Sequence, residues 1–86
     1  MANPRFLTAL DALPFGTHRA EFDNRIWMVT KSALAGGKAE KLLAYELGGP
    51  GKVSLNLYRL ESGHLLKPCE LSEAAAHSFV TGLKII

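Results

Sequence analysis

The sequence predicts an α+β fold, an antiparallel meander of four or five strands with N- and C-terminal helices packed on one face. Residues 53–60, VSLNLYRL, alternate apolar and polar side chains, as a strand with one buried face does. Glycine- and asparagine-containing turns separate the apolar segments by only a few residues, which favours hairpins. At 86 residues the chain is long enough for one small domain, 1–86.

The first helix is predicted over residues 3–13. Asn3 can accept backbone N–H bonds as the N-cap, and Pro4 suits the first helical position, where a missing donor costs nothing. Pro14 and Gly16 end the segment. Its apolar side chains fall on one stripe, at spacings of four and three: Phe6, Leu10 and Leu13.

Three strands are expected next. Residues 18–22 and 25–34 flank Asp23-Asn24, two residues that tolerate the positive φ of a tight turn. Residues 40–47 lie between two glycine-containing turns and are predicted as a strand, although the composition KLLAYEL also suits a helix.

The second half of the chain predicts two strands and a helix. The strand over 53–60 turns at residues 61–63 into a short strand over 64–67, which Pro68 should stop. Ser72 is a good N-cap for the last helix, and Glu73 favours the positive end of its dipole. The buried stripe of this helix is Ala76, Phe79, Val80 and Leu83.

Symmetric hairpins predict which residues share a face of the sheet. Centring one turn on Gly36-Gly37 pairs Met28 with Tyr45, and continuing through GGPG pairs Tyr45 with Leu55. In this register the core face collects Ile26, Met28, Leu43, Tyr45, Leu47, Val53, Leu55 and Leu57. Two amphipathic helices are available to cover that face.

The opposite sheet face then mixes aromatic and aliphatic side chains with charges. The chain has no third helix to cover it, and an exposed apolar patch of this kind indicates an interface. The apolar centre would be Trp27, Tyr58, Phe22 and Leu42, with Lys31, Asn56 and Glu46 as polar contacts.

From this face we expect a non-enzymatic binding or interaction module that associates with a second copy of itself or with another protein. Small domains gain from burying a half-apolar face, and two-fold dimers are the commonest assemblies. Nucleic-acid binding through the same aromatic and basic residues is the main alternative. The net charge of +2 permits it without arguing for it, because basic residues are spread along the sequence. A small-molecule carrier with a pocket between helices and sheet is a further alternative.

The sequence holds no recognisable catalytic, cofactor or metal motif. Cys69, the one cysteine, is expected to be a packed structural thiol; an enzyme using Cys69 with His64 is the competing hypothesis. The three histidines lack ligand spacing, so no metal is expected. Without a membrane-length apolar run or a secretory signal, the expected location is the cytoplasm.

Overall fold

The computed structural model describes residues 3–86, in which two helices pack on a six-stranded antiparallel sheet. The elements are α1 (Pro4–Ala12), β1 (Gly16–Phe22), β2 (Arg25–Leu34), β3 (Ala39–Glu46), β4 (Lys52–Leu60), β5 (Gly63–Cys69), α2 (Glu73–Gly82) and β6 (Lys84–Ile85). A 3-10 turn over Ala35–Gly37 joins β2 to β3. The strand order is β5-β4-β3-β2-β1-β6. The predicted α+β class is confirmed, and the sheet has one strand more than expected.

Both helices begin where their capping residues predict. The Asn3 side chain accepts a hydrogen bond from the Phe6 amide at 2.8 Å, and Pro4 occupies the first helical position of α1. At α2 the Ser72 hydroxyl oxygen accepts from the Ala75 amide at 3.0 Å. These bonds satisfy backbone donors that the first helical turn leaves without partners.

The hairpin of β1 and β2 also forms as expected. Asp23 and Asn24 have φ values of 54° and 62°, the left-handed conformation that a two-residue hairpin turn requires at both positions. Phe22 therefore pairs with Arg25, and Ala20 pairs with Trp27. The ambiguous segment 40–47 is a strand as far as Glu46, because β3 pairs on both sides with β2 and β4; Leu47 belongs to the following turn.

The two ends of the sheet differ from the sequence prediction. Strand β5 continues through Pro68 to Cys69 instead of stopping before the proline. It lies at the sheet edge, where a residue without an N–H donor is tolerated. At the other edge, β6 pairs with β1 after α2 has ended. Two residues are too short for a periodic pattern, so this strand left no sequence signal.

The largest correction concerns the pairing of β3 with β4. Tyr45 pairs with Lys52 instead of Leu55, a displacement of three residues, because the GGPG loop closes tightly with the Glu46 amide donating to the Gly51 carbonyl at 2.9 Å. An odd displacement moves a strand's side chains to the other face. Val53, the first inward residue of β4, now shares its face with Ala44.

The two helices cover the face that the sequence prediction had left open. Trp27, Val29, Leu42 and Ala44 are buried with Phe6, Leu10, Phe79 and Val80 of the helices and with Val53, Leu55 and Leu57 of β4. The predicted inward orientation of those three β4 residues is confirmed. The predicted core positions of Ile26, Met28, Leu43, Tyr45 and Leu47 are wrong, since they lie on the opposite face.

Candidate binding surface

Opposite the helices lies a sheet face that neither α1 nor α2 of residues 3–86 covers, here called the open sheet face. Alternation along the strands and the observed register place on it Arg19 and Glu21 of β1; Ile26, Met28, Thr30 and Ser32 of β2; Lys41, Leu43 and Tyr45 of β3; Lys52, Ser54, Asn56 and Tyr58 of β4; Leu65, Lys67 and Cys69 of β5; and Lys84 of β6. Leu47 continues it beyond β3, next to Ile26.

The open sheet face exposes several large apolar side chains, whereas a sheet face in contact with water is usually polar. Tyr45 is 48% exposed and Leu47 44%, beside the partly exposed Ile26 and Met28 at one end of the strands. Leu65 and the partly exposed Tyr58 lie at the other end. Contiguous apolar patches on a surface indicate a binding function.

Charge on this face is strongly one-sided. Of the ten basic residues in the chain, five point from it: Arg19, Lys41, Lys52, Lys67 and Lys84. Among residues 3–86, the acidic side chain on these strand positions is Glu21 alone. None of the five cations takes part in the ion pairs of the described chain, which all lie on the helix side.

On the helix side, by contrast, charges neutralise one another. Arg25 pairs with Glu46 at 3.1 Å, and Arg59 reaches Asp11 of α1 at 2.8 Å and Glu40 at 3.2 Å. The hydrogen bond that Arg59 donates to Asp11, together with its hydrogen bond to Glu40 and the charge of that carboxylate, raises the pKa of Arg59 above its ordinary value despite an opposing desolvation effect. The excess positive charge of the molecule is therefore concentrated on the open sheet face.

Strands β3 and β4 arrange aromatic and basic side chains in sequence along this face. Tyr45 lies beside Lys52, whose ammonium nitrogen is 5.8 Å from the centre of the tyrosine ring. Farther along, Asn56 pairs with Lys41 on one side and Lys67 on the other. Tyr58, two residues beyond Asn56 on β4, lies at the far end of this row. The buried side-chain oxygen of Asn56 has no hydrogen-bond partner within residues 3–86.

The residues predicted as an interaction face are divided between the two faces of the sheet. Asn56 and Tyr58 lie on the open sheet face. The other five, Phe22, Trp27, Lys31, Leu42 and Glu46, lie on the helix-covered face. Trp27 is 7% and Leu42 0% exposed, so their assignment to an exposed centre is wrong.

Phe22, Trp27 and Glu46 have structural partners on the helix side. Phe22 and Trp27 contact the Phe79 ring of α2, with centroid separations of 4.9 and 5.0 Å. Glu46 packs against the GGPG loop and pairs with Arg25. These three side chains therefore stabilise the core and its edge, and they are not free to contact a ligand.

Sequence reasoning missed the surface residues Tyr45, Lys41, Lys52 and Lys67. The sequence does contain a signal for the correct face: Thr30 and Ser32 alternate with the buried residues of β2 and share the face of Met28. Small polar residues favour the solvated side of a strand. The apolar character of both faces of β3 concealed this signal.

The hypothesis of an enzyme using Cys69 with His64 is wrong in its geometry. The two residues lie near opposite ends of β5, and His64 contacts the Arg59 guanidinium on the helix side. Cys69 is exposed, so the expectation of a packed structural thiol is wrong as well. Its neighbour in the register is Ser54 on the open sheet face.

The space that a carrier would need between helices and sheet is filled by side chains. Phe6, Leu42, Leu55 and Val80 are fully buried there. A depression of about 570 Å³ does exist between α1 and α2, but exposed residues such as Arg5, Thr8 and Thr81 line it and it is open to solvent. This depression lies outside the helix–sheet core.

Two further features are absent from the part of the chain that the structure describes. Within residues 3–86, His, Cys, Asp and Glu side chains form no group that could hold a metal ion. Neither α1 nor α2 is long and apolar enough to cross a membrane.

In comparisons with protein-family models, curated proteins and solved structures, nothing matches this chain. The open sheet face must therefore be interpreted from its own chemistry.

Proposed function

We propose that this chain is a non-enzymatic binding module that takes nucleic acid on the open sheet face. The observation that carries the proposal is the segregation of charge: that face holds five cations and one anion, Glu21, which lies opposite Lys84, and none of the ion pairs within residues 3–86 involves these cations. Such a surface attracts a polyanion and releases the counterions condensed on it, which is the main source of non-specific nucleic-acid affinity.

The mixture of side chains favours nucleic acid over other polyanions. Lys41 and Lys67 flank an amide, and Tyr45 and Leu43 lie in neighbouring positions of the same strand. Nucleic acid presents phosphates for the cations and base surfaces for the apolar and aromatic groups. A carboxylate-rich peptide would leave the tyrosine rings without a comparable partner.

The test is the salt dependence of binding to a fluorescein-labelled random 20-mer, measured by anisotropy from 20 to 300 mM NaCl. We expect the affinity to fall steeply as the salt concentration rises. Each phosphate contact that a substitution removes should reduce the slope of log affinity against log salt concentration by about 1. The variants Lys41→Gln and Lys67→Gln should each show this loss. Arg5→Gln, which removes one charge from the exposed surface of α1, is the matched control and should leave the slope unchanged.

Cys69 provides a second readout in the same samples. It is the chain's one cysteine and is exposed on the open sheet face, so bound oligonucleotide should slow its alkylation by a maleimide. Absence of binding at 20 mM NaCl would overturn the proposal. Equal effects of Lys41→Gln and Arg5→Gln, or an unchanged alkylation rate at saturation, would overturn the assignment to this face.

A second copy of the chain is the competing occupant. The exposed Tyr45, Leu47 and Leu65 favour it, because apolar surface of this kind is commonly buried in a dimer. The charge opposes it, since face-to-face contact would place five cations and one anion against the same set. Nucleic acid offers phosphates to the cations and base surfaces to the apolar side chains, and we therefore favour it.

The cytoplasm suits this function. Cys69 is an exposed thiol in a chain without a second cysteine, which fits a compartment that keeps thiols reduced. Fractionation of the native protein, with Cys69 assayed for its redox state, would test the location independently of ligand binding.

A further inference from the structure

We propose that the ligand is a single strand and that it lies along β3 and β4, with bases stacked on Tyr45 at one end and on Tyr58 at the other. This inference rests on the proposed nucleic-acid function and adds to it the form of the ligand and its path. Three observations carry it: the positions of the two tyrosines, the lysines between them, and the width of the sheet.

The tyrosines mark the ends of a stripe along one strand pair. Tyr58 pairs with Ala39, and Tyr45 lies six residues farther along the same strand. At ~3.4 Å per residue the two positions are about 20 Å apart. Both tyrosines retain exposed surface on the open sheet face. Exposed rings on a sheet are a sequence-tolerant platform for unpaired bases.

Between the rings, lysines flank the stripe where a phosphate backbone would run. Lys52 lies beside Tyr45, and Lys41 and Lys67 lie on either side of Asn56. The remaining positions along the path are Leu43 and Ser54, which carry no charge and separate Lys52 from Lys41 and Lys67. A strand on this path meets the Tyr45 ring with Lys52 beside it, then the uncharged pair Leu43 and Ser54. It then meets Lys41 and Lys67 on either side of Asn56, and finally the Tyr58 ring.

A duplex fits this face poorly. The five long strands, spaced ~4.8 Å apart, form a sheet about 19 Å wide. The major groove of B-DNA is only about 12 Å wide, so the sheet cannot enter it. A duplex would then offer phosphates alone and leave Tyr45 and Tyr58 without base surfaces to contact.

The experiment compares three labelled ligands at constant salt: a dT12 single strand, a 12-base-pair duplex and a 12-mer of abasic tetrahydrofuran units with the same number of phosphates. We expect tightest binding to dT12. At ~1–3 kcal/mol per stacked base, loss of both stacks corresponds to a weakening of roughly 30-fold or more for the abasic strand. Affinity for dT oligomers should rise with length until the strand spans the ~20 Å between the two rings, and then level off.

Variants locate the contacts. Tyr45→Leu and Tyr58→Leu should each weaken dT12 binding by roughly fivefold or more and leave abasic binding unchanged. Tyr45→Phe and Tyr58→Phe retain the ring and should bind as wild type. Phe15→Leu removes an exposed aromatic ring from the segment before β1 and serves as the control.

Equal affinity of the wild-type protein for all three ligands would overturn this inference while leaving the nucleic-acid function intact. That comparison needs no variant, so a Leu variant that fails to fold cannot obscure it. Preference for dT12 with no effect of folded Tyr45→Leu and Tyr58→Leu would overturn the path. Absence of binding to every ligand at low salt would overturn the proposed function itself.

Discussion

Lys31 shows how the environment decides the role of a single side chain. The sequence predicts a polar contact on an exposed face, yet the side chain is only 4% exposed. Its ammonium group donates to the carbonyls of Leu10 and Leu13, at 2.8 and 2.9 Å. Those carbonyls belong to the C-terminal end of α1, where the helix dipole favours a cation. The nitrogen also lies 4.5 Å from the centre of the Phe15 ring. Lys31 therefore ties α1 to the sheet.

Replacing Lys31 by Met should destabilise the fold by about 2 kcal/mol, because two charge-assisted hydrogen bonds are lost; the Leu10 carbonyl keeps only its bond from the Leu13 amide, at 3.1 Å. Urea unfolding followed by far-UV circular dichroism measures the change. Lys41→Met makes the same substitution on the open sheet face and should change stability by less than about 0.5 kcal/mol. Equal losses for the two variants would contradict the role assigned to Lys31.

At the level of elements, the loop between β3 and β4 decides which face of the sheet is buried. The loop is glycine-rich because the Glu46 side chain packs against Gly49 and Gly51. A Cβ at Gly51 would lie 2.7 Å from Trp27 Cη2 and within contact distance of Glu46. The sequence GGPG is compatible with several hairpin lengths, and only this packing selects the four-residue loop.

Gly51→Ala should therefore destabilise the protein by about 1–3 kcal/mol, the usual cost of forcing extra volume into a packed site. It should also change the fluorescence of Trp27, the only tryptophan, since the new methyl group would meet its ring. Gly37→Ala is the control: its φ is +91°, so it carries backbone strain, but a Cβ there contacts nothing within 4 Å. An unchanged Trp27 spectrum in Gly51→Ala would refute the proposed packing.

Considered as a whole molecule, the chain has a modest net charge of +2 that conceals an uneven distribution. Three acidic side chains form ion pairs on the helix side, whereas the open sheet face carries five basic residues and one acidic residue. Spacing along the sequence did not indicate this, because Lys41, Lys52 and Lys67 come from three different strands. Only their pairing in the sheet brings them together.

This distribution predicts a monomer at low ionic strength. At 10 mM NaCl the Debye length is about 30 Å, so the cations of two facing copies would repel one another with little screening. Sedimentation equilibrium at 100 μM protein and 10 mM NaCl should give the mass of one chain. A dimer under those conditions, lost in Tyr45→Asp but retained in Arg5→Gln, would instead support self-association through the open sheet face.

The elements of this protein follow from local sequence. Caps at Asn3 and Ser72, the Asp23-Asn24 turn and the alternation over 53–60 predicted both helices and the main strands, because each depends on interactions within a few residues. The same local reasoning placed Asn56 and Tyr58 on the face opposite Val53, Leu55 and Leu57, where they are found.

The location of the candidate site depended on tertiary structure. Both faces of β3 are apolar enough to be buried, and in β2 the charge of Lys31 on one face offset the polar Thr30 and Ser32 on the other. Local pattern therefore did not choose between Trp27 and Met28 as the inward residue. The choice came from the β3–β4 register, which is fixed by a loop packed against Glu46, and from the helices that cover Trp27. The strand over 53–60 was determined by its sequence, whereas its neighbours on each face were determined only by the assembled sheet, because an odd change in register exchanges the faces.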